Sequence, residues 1–238
     1  MKVDLSTLPF SCRGSWLAIS ELGKNWNDCG NEAGLYLRTI HSSAMTPLVA
    51  RLLPERKEYT AEIRQAALLL TTGDGMLEIC FDDPGTMLIR GTSGMRLTLV
   101  FLSGSGPYDY IYRFSRNGRT YEMANCFKNN CRYLMSAEQG EAELEQEWRE
   151  SSSVYSRLIV SGKAGFLLVL REIETEWDGI WKQYDFEESR DRTAADLLSF
   201  RRRLPAFLMH MRRPRKRPAT CCGRLSFGRQ VSCPGTPC

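Results

Sequence analysis

Along residues 15–177 apolar side chains come in short runs broken by Gly, Pro, Asn and Asp. The first are SWLAISEL (15–22), GLYLRTI (34–40), PLVARLL (47–53), GMLEICF (75–81), TMLIRG (86–91) and MRLTLVFL (95–102). YDYIYRF (108–114), RTYEMANCF (119–127), CRYLMSAE (131–138), AELEQEW (142–148), VYSRLIVSG (154–162) and GFLLVLREIETEW (165–177) follow. Each has the length of a strand and is either alternating or continuously apolar, without the wider spacing of a helix face. YTAEIRQAALLLTT (59–72) fits two strands or one bent strand.

The interruptions carry turn chemistry. RNGR (116–119) sets Asn-Gly between alternating runs, which predicts a two-residue hairpin because both central residues must reach positive φ. DDPG (82–85), TGDG (72–75) and SGSGP (103–107) read as further tight turns. Strands this close together, with no helical stretch between them, predict a mostly β fold. The expectation is a large antiparallel β-supersandwich over residues 1–177, not a parallel α/β sheet.

Near residue 178 the period changes, and residues 178–207 read as a linker helix. In DFEESRDRTAADLLSFRRRL (185–204), Asp185 is placed to cap the N-terminus and Glu187 and Glu188 fall in the first turn. Arg201, Arg202 and Arg203 fall in the last turn, where cations complement the helix dipole, and Pro205 follows as a stop. Phe186, Ala194, Leu197, Leu198 and Leu204 give the expected apolar face. No internal repeat is evident.

Charge changes the picture of the last segment. The chain has 238 residues, 32 Lys+Arg and 28 Asp+Glu, for a net charge of +4. All 28 acids lie at or before Asp196, and 7 of the 32 basic residues lie in residues 208–238, so residues 1–207 balance at 25 − 28 = −3. Four of the nine cysteines (Cys221, Cys222, Cys233 and Cys238) also fall in this tail. RRPRKRPATCC (212–222) reads either as a phosphate-binding arm or as a disordered basic tail. The genetic code offers a third reading. Translated one frame over, residues 208–228 can become the acidic, amphipathic YAYEEAEKAAGYLLWSAVVRP, which predicts that residues 208–238 are out of frame.

Apolar content of 42% and charged content of 25% suit a soluble globular protein, and no run approaches the length of a membrane span. The N-terminus MKVDLSTLPF lacks the apolar core of a secretory signal, so a cytoplasmic location is expected. For metal, Cys126 and Cys131 have four residues between them, Cys221 and Cys222 are adjacent, and His41 and His210 are distant in sequence. No CxxC pair occurs, so no structural zinc set is assembled, and nothing brings His41 to a cysteine nucleophile. GTSGMR (91–96) and SGSGP match neither dinucleotide-binding nor P-loop spacing and read as turns. No metal or cofactor is assigned.

Paired carboxylates are the remaining chemistry, since glycoside hydrolysis needs an acid and a base across one bond. EICFDDP (78–84) and REIETEWDG (171–179) are the densest acidic stretches near aromatics. Glu172, Glu174 and Glu176 alternate, so they are expected on one solvated outer face with Ile173, Thr175 and Trp177 opposite. Trp16, Trp26, Trp148, Trp177 and Trp181 could stack on sugars, but buried aromatics of a sandwich are the preferred reading. No catalytic residue is assigned.

LPFSCRGSWLAIS (8–20), GLYLRTIHSSA (34–44), LEICFDDPGTMLIRGTSGMRLTLVF (77–101), YDYIYRF and GFLLVLREIETEWD (165–178) together resemble a family. They are similar to the N-terminal sandwich of bacterial trehalase, mannosyl-oligosaccharide glucosidase and amylo-α-1,6-glucosidase-like hydrolases. The resemblance covers most of residues 1–207 and rests on packing motifs. It implies a β-supersandwich followed by an (α/α)6 toroid that carries the inverting acid and base. The out-of-frame YEEAEKAAGYLLWSAVV resembles the first toroid helix. On this reading the chain is a non-catalytic domain truncated before its toroid, and the parent acts on an oligosaccharide or glucoside. The alternatives are a free-standing carbohydrate-binding module and a nucleic-acid binder using the basic tail.

Overall fold

The computed structural model describes residues 1–23, 32–41, 48–55, 58–73, 75–101, 110–126, 131–148, 154–173 and 176–203. Among the described residues fourteen strands run in chain order: β1 Leu17–Leu22, β2 Gly34–Thr39, β3 Leu48–Pro54, β4 Thr60–Arg64, β5 Ala67–Thr71, β6 Met76–Asp83 and β7 Thr86–Gly91. They continue as β8 Arg96–Phe101, β9 Tyr110–Arg116, β10 Arg119–Cys126, β11 Cys131–Gln139, β12 Glu141–Trp148, β13 Val154–Ser161 and β14 Phe166–Ile173. A helix, α1, spans Phe186–Arg203. The mostly β, antiparallel class expected from the alternation is the one observed.

The strands form two sheets. One has six strands in the order β1-β2-β3-β8-β13-β12, and the other has eight in the order β4-β5-β6-β7-β14-β11-β10-β9. Residues 59–72 resolve into two strands, β4 and β5, joined at Gln65 and Ala66, which both take positive φ. The Asn-Gly turn also forms: Asn117 (φ 53°) and Gly118 (φ 75°) connect β9 to β10.

Alternate residues of every central strand face the space between the sheets. Leu68, Ile79, Ile89, Met135 and Leu168 of the larger sheet meet Leu37, Leu52, Leu99 and Leu158 of the smaller one in one continuous core. The lateral openings are laced shut. On one side Val3 N donates to Ala61 O (3.0 Å) and Glu21 N to Leu5 O (3.0 Å), tying β4 and β1 to the N-terminal segment. On the other, Arg113 donates to Ala142 O (2.8 Å) and Gln146 to Ile111 O (2.7 Å), joining β9 to β12.

The larger sheet is covered on its outer face as well. Ala67, Leu69, Cys80, Leu88, Leu167 and Val169 pack under Tyr184 and Phe186, and Tyr121, Met123, Leu134 and Ile173 pack under Trp177 and Trp181. Residues 176–185 therefore lie across the sheet as a non-helical strap, and α1 begins where the strap ends. Asp185 caps the helix as its position predicts: its Oδ1 accepts Glu188 N at 2.8 Å.

The helix uses only part of the face expected of it. Its buried residues are Phe186, Ser189 and Thr193, whereas Leu198 is exposed and Ala194 and Leu197 are half-buried. The reason is polar docking: Ser189 Oγ donates to Asp82 Oδ1 (2.8 Å) and Thr193 Oγ1 to Phe81 O (2.7 Å). Leu204, Pro205 and residues 208–238 lie outside the described residues.

Candidate functional site

One end of the sandwich gathers the side chains with chemistry. The β6–β7 turn (Pro84 and Gly85), the residues leading into β1, the end of β14 and the strap meet there around a cleft of about 340 Å³. Trp16, Asp83, Arg171, Glu176, Trp177 and Asp178 supply its side-chain chemistry.

Backbone bonds set the cleft floor. Trp16 N donates to Pro84 O (2.9 Å), Ser15 Oγ to the same oxygen (3.1 Å), and Glu172 N to Gly85 O (2.8 Å). Gly85 lies close against the Trp16 ring: a Cβ there would sit 3.0 Å from two of its carbons, so the ring would have to give by a few tenths of an ångström. The opposite indole is held as firmly. Trp177 packs on Phe114 and Tyr121 at centroid distances of 5.8 and 5.2 Å, lies beside the Arg116 guanidinium, and donates Nε1–H to Ile180 O (3.0 Å).

Behind the cleft is a buried polar cluster. Glu172 lies between the sheets, where Thr39 Oγ1 donates to its carboxylate at 3.1–3.2 Å and His41 Nδ1 meets Oε1. Tyr133, opposite Glu172 in the β11–β14 register, and Cys131 share its face, with Cys131 Sγ 3.0 Å from the Tyr133 hydroxyl. The Trp16 ring meets the His41 ring edge-on at 5.0 Å. Burial pushes the Glu172 carboxyl above its ordinary range, while hydrogen bonds from His41, Thr39 and the Cys131 thiol oppose the rise. Thr39 ends β2 of the smaller sheet, His41 follows it, and Glu172 is the penultimate residue of β14 of the larger, so the cluster is a clasp between sheets.

This overturns the expected face of the REIETEWDG stretch. Phe166, Leu168, Leu170 and Glu172 point into the core, and Ile173 lies on the outer face under the strap aromatics. Glu172 is buried, Glu176 is exposed, and Glu174 lies outside the described residues. What GFLLVLRE does signal is coverage: an apolar run with no alternation marks a strand covered on both sides, so neither of its faces is a solvated one.

The acids of EICFDDP also have structural partners. Glu78 pairs with Arg90, which reaches on to Glu187 of α1 (2.8 Å) and lies 4.1 Å over the Phe186 ring. Asp82 is buried and takes Lys182, Arg192 and Ser189, fastening strap and helix to β6. A further buried carboxyl, Glu122, bonds Arg113 Nε at 2.8 Å and is pushed up by burial.

The other candidates are dispersed. Trp181 donates to Glu138 (2.7 Å) within the strap's aromatic cluster, while Trp26 and the Trp148 side chain lie outside the described residues. GTSGMR forms the β7–β8 turn with Gly94 at φ 77°, and SGSGP lies outside the described residues. Cys126 and Cys131 are register partners across β10 and β11, and His41 is engaged with Glu172. Among the described residues no group of three or more His, Cys, Asp or Glu side chains is arranged to hold a metal, and His210, Cys221 and Cys222 lie outside them. No helix among the described residues is long and apolar enough to cross a membrane.

No protein-family profile and no curated protein matches the chain, whereas 16 solved chains do. One is a putative kojibiose phosphorylase from human microbiome, with a TM-score of 0.35 and 10% identity. The match covers 87% of this chain and 34% of that one, so this chain spans about a third of its length. What the chain does is therefore read from its own side chains.

Proposed function

We propose that this chain is the N-terminal, non-catalytic β-sandwich of a cytoplasmic inverting α-glycoside hydrolase, separated from the (α/α)6 toroid that would hold the acid and base. The observation that carries this reading is what the sandwich does with its acids. Inverting hydrolysis needs a protonated carboxyl and a carboxylate on opposite faces of one sugar, with room for water between them. Here three acids of the densest stretches serve the fold: Glu78 and Asp82 pair with cations that fasten strap and helix, and Glu172 clasps the two sheets, while Asp83, Glu176 and Asp178 line the cleft beside Arg171. The segments that resemble the hydrolase family form consecutive structure, with LEICFDDPGTMLIRGTSGMRLTLVF making β6, β7 and β8.

The test begins with the coding DNA beyond Phe207, where the alternative frame should run on into an acidic helical segment. The 238-residue chain should not turn over maltose, isomaltose or trehalose, and the chain extended in that frame should turn over at least one. Robust turnover by the short chain sinks the non-catalytic reading, and an early stop in the other frame sinks the truncation. A free-standing carbohydrate-binding module is the second reading, favoured by the two indoles that face the cleft.

A further inference from the structure

We infer that the cleft between Trp16 and Trp177 is a binding subsite for a neutral pyranose unit of a glycan, a reading that rests on the carbohydrate role proposed above. A sugar ring presents an apolar C–H face and a rim of hydroxyls that both donate and accept. The cleft offers partners for each. Trp16 and Trp177 supply flat apolar surface, and Arg171 supplies donors beside the acceptors Asp83, Glu176 and Asp178. A volume of about 340 Å³ is at the small end of ligand sites, the size of a mono- or disaccharide unit.

The polar groups are positioned but not used up. Asp83 Oδ1 accepts Gly85 N (3.0 Å) and Asp178 Oδ1 accepts Ile180 N (2.9 Å), which orients each carboxylate. The second oxygen of each has no hydrogen-bond partner among the described residues, and the exposed Glu176 has none either. Arg171 is steadied by one bond to Ile180 O (3.2 Å) and stands half-buried at the wall. The indoles are preorganised by Gly85 and His41 on one side and by Phe114 and Tyr121 on the other, so little ordering cost falls on binding.

Charge narrows the ligand. Three carboxylates against one guanidinium repel an anionic sugar or a phosphate, and a cation, which that net charge would admit, leaves the Arg171 donors unused. A neutral, hydroxyl-rich ring uses all of these groups at once.

The experiment is a titration of the purified 238-residue chain with maltotriose, isomaltose and trehalose, and separately with choline and glucuronate, followed by tryptophan emission and calorimetry. At least one neutral sugar should bind saturably. Trp16→Ala should weaken it about tenfold. Glu176→Gln should weaken it about threefold with the melting temperature unchanged, so the test stands even if Trp16→Ala does not fold. The proposal is overturned if the folded chain binds none of the three sugars, if Glu176→Gln binds as the parent does, or if choline or glucuronate binds in their place. Absence of sugar binding leaves the hydrolase-domain reading to the turnover of the extended chain. Absence of that turnover leaves the subsite to this titration.

Discussion

β14 and β12 belong to one sandwich and have nearly opposite sequences. Every residue of β14 is buried except the half-buried Arg171. In β12, Glu141, Glu143 and Glu145 are exposed and alternate with half-buried Ala142 and Leu144. Backbone geometry does not separate them, since both are antiparallel strands of eight residues. Coverage does. β14 is central in a sheet packed on the six-stranded sheet beneath and the strap above, whereas β12 ends its sheet with one face toward water. The glutamates also place charge along the last strand of the sheet, where a bare strand would invite pairing with another chain.

Truncating the core-facing residue of each strand tests that difference most severely. Leu170→Ala removes a side chain with 0% exposure from a site closed on all sides, and about 3 kcal/mol of stability should go with it. Leu144→Ala, half-buried at the edge, should cost about 1 kcal/mol. Urea unfolding of the two variants measures both, and equal losses would mean that the edge is as tightly packed as the centre.

The same contrast explains what could be read from sequence. Where one face is wet, as in AELEQEW, alternation gives both the strand and its orientation. Where both faces are covered, as in FLLVL, the strand is legible but its faces are not, and alternation counted from the acids puts Glu172 on the wrong one. Turns and caps depend on a few adjacent residues, so Asn117-Gly118 and Asp185 were readable directly. The docking face of α1 was not, because Ser189 and Thr193 face the sheet only where Asp82 and the Phe81 carbonyl lie beneath them. The cleft was hidden for a related reason: Trp16, Gly85 and Trp177 are far apart in the chain and meet only after two sheets and the strap are assembled.

Glu172 sharpens the comparison through pH. Its folded carboxyl is held above the ordinary 4.5 by burial, so the folded state keeps a proton that the unfolded chain gives up. Its contribution to stability is therefore fully present below about pH 4.5 and is lost as pH rises through the higher folded value. Glu172→Gln cannot titrate, and its stability should fall less over that window, by at most about 1.4 kcal/mol per pH unit. Glu122 shares the sign but is present in both proteins, so the difference between their denaturation curves isolates Glu172. Parallel curves would mean that the carboxyl is not shielded as its place between the sheets requires.

At the wet end of the comparison the expected effect is smallest. Glu145 sits on the solvent side of β12, 4.0 Å from Arg157, with both side chains close to half exposed. In that setting water and salt screen the attraction, and holding two long side chains together costs entropy that offsets most of what remains. Glu145→Ala should change the unfolding free energy by no more than about 0.5 kcal/mol, with little dependence on salt. A loss approaching that of Leu144→Ala would place the ion pair, and not the apolar side facing the core, as what holds this edge strand to β13.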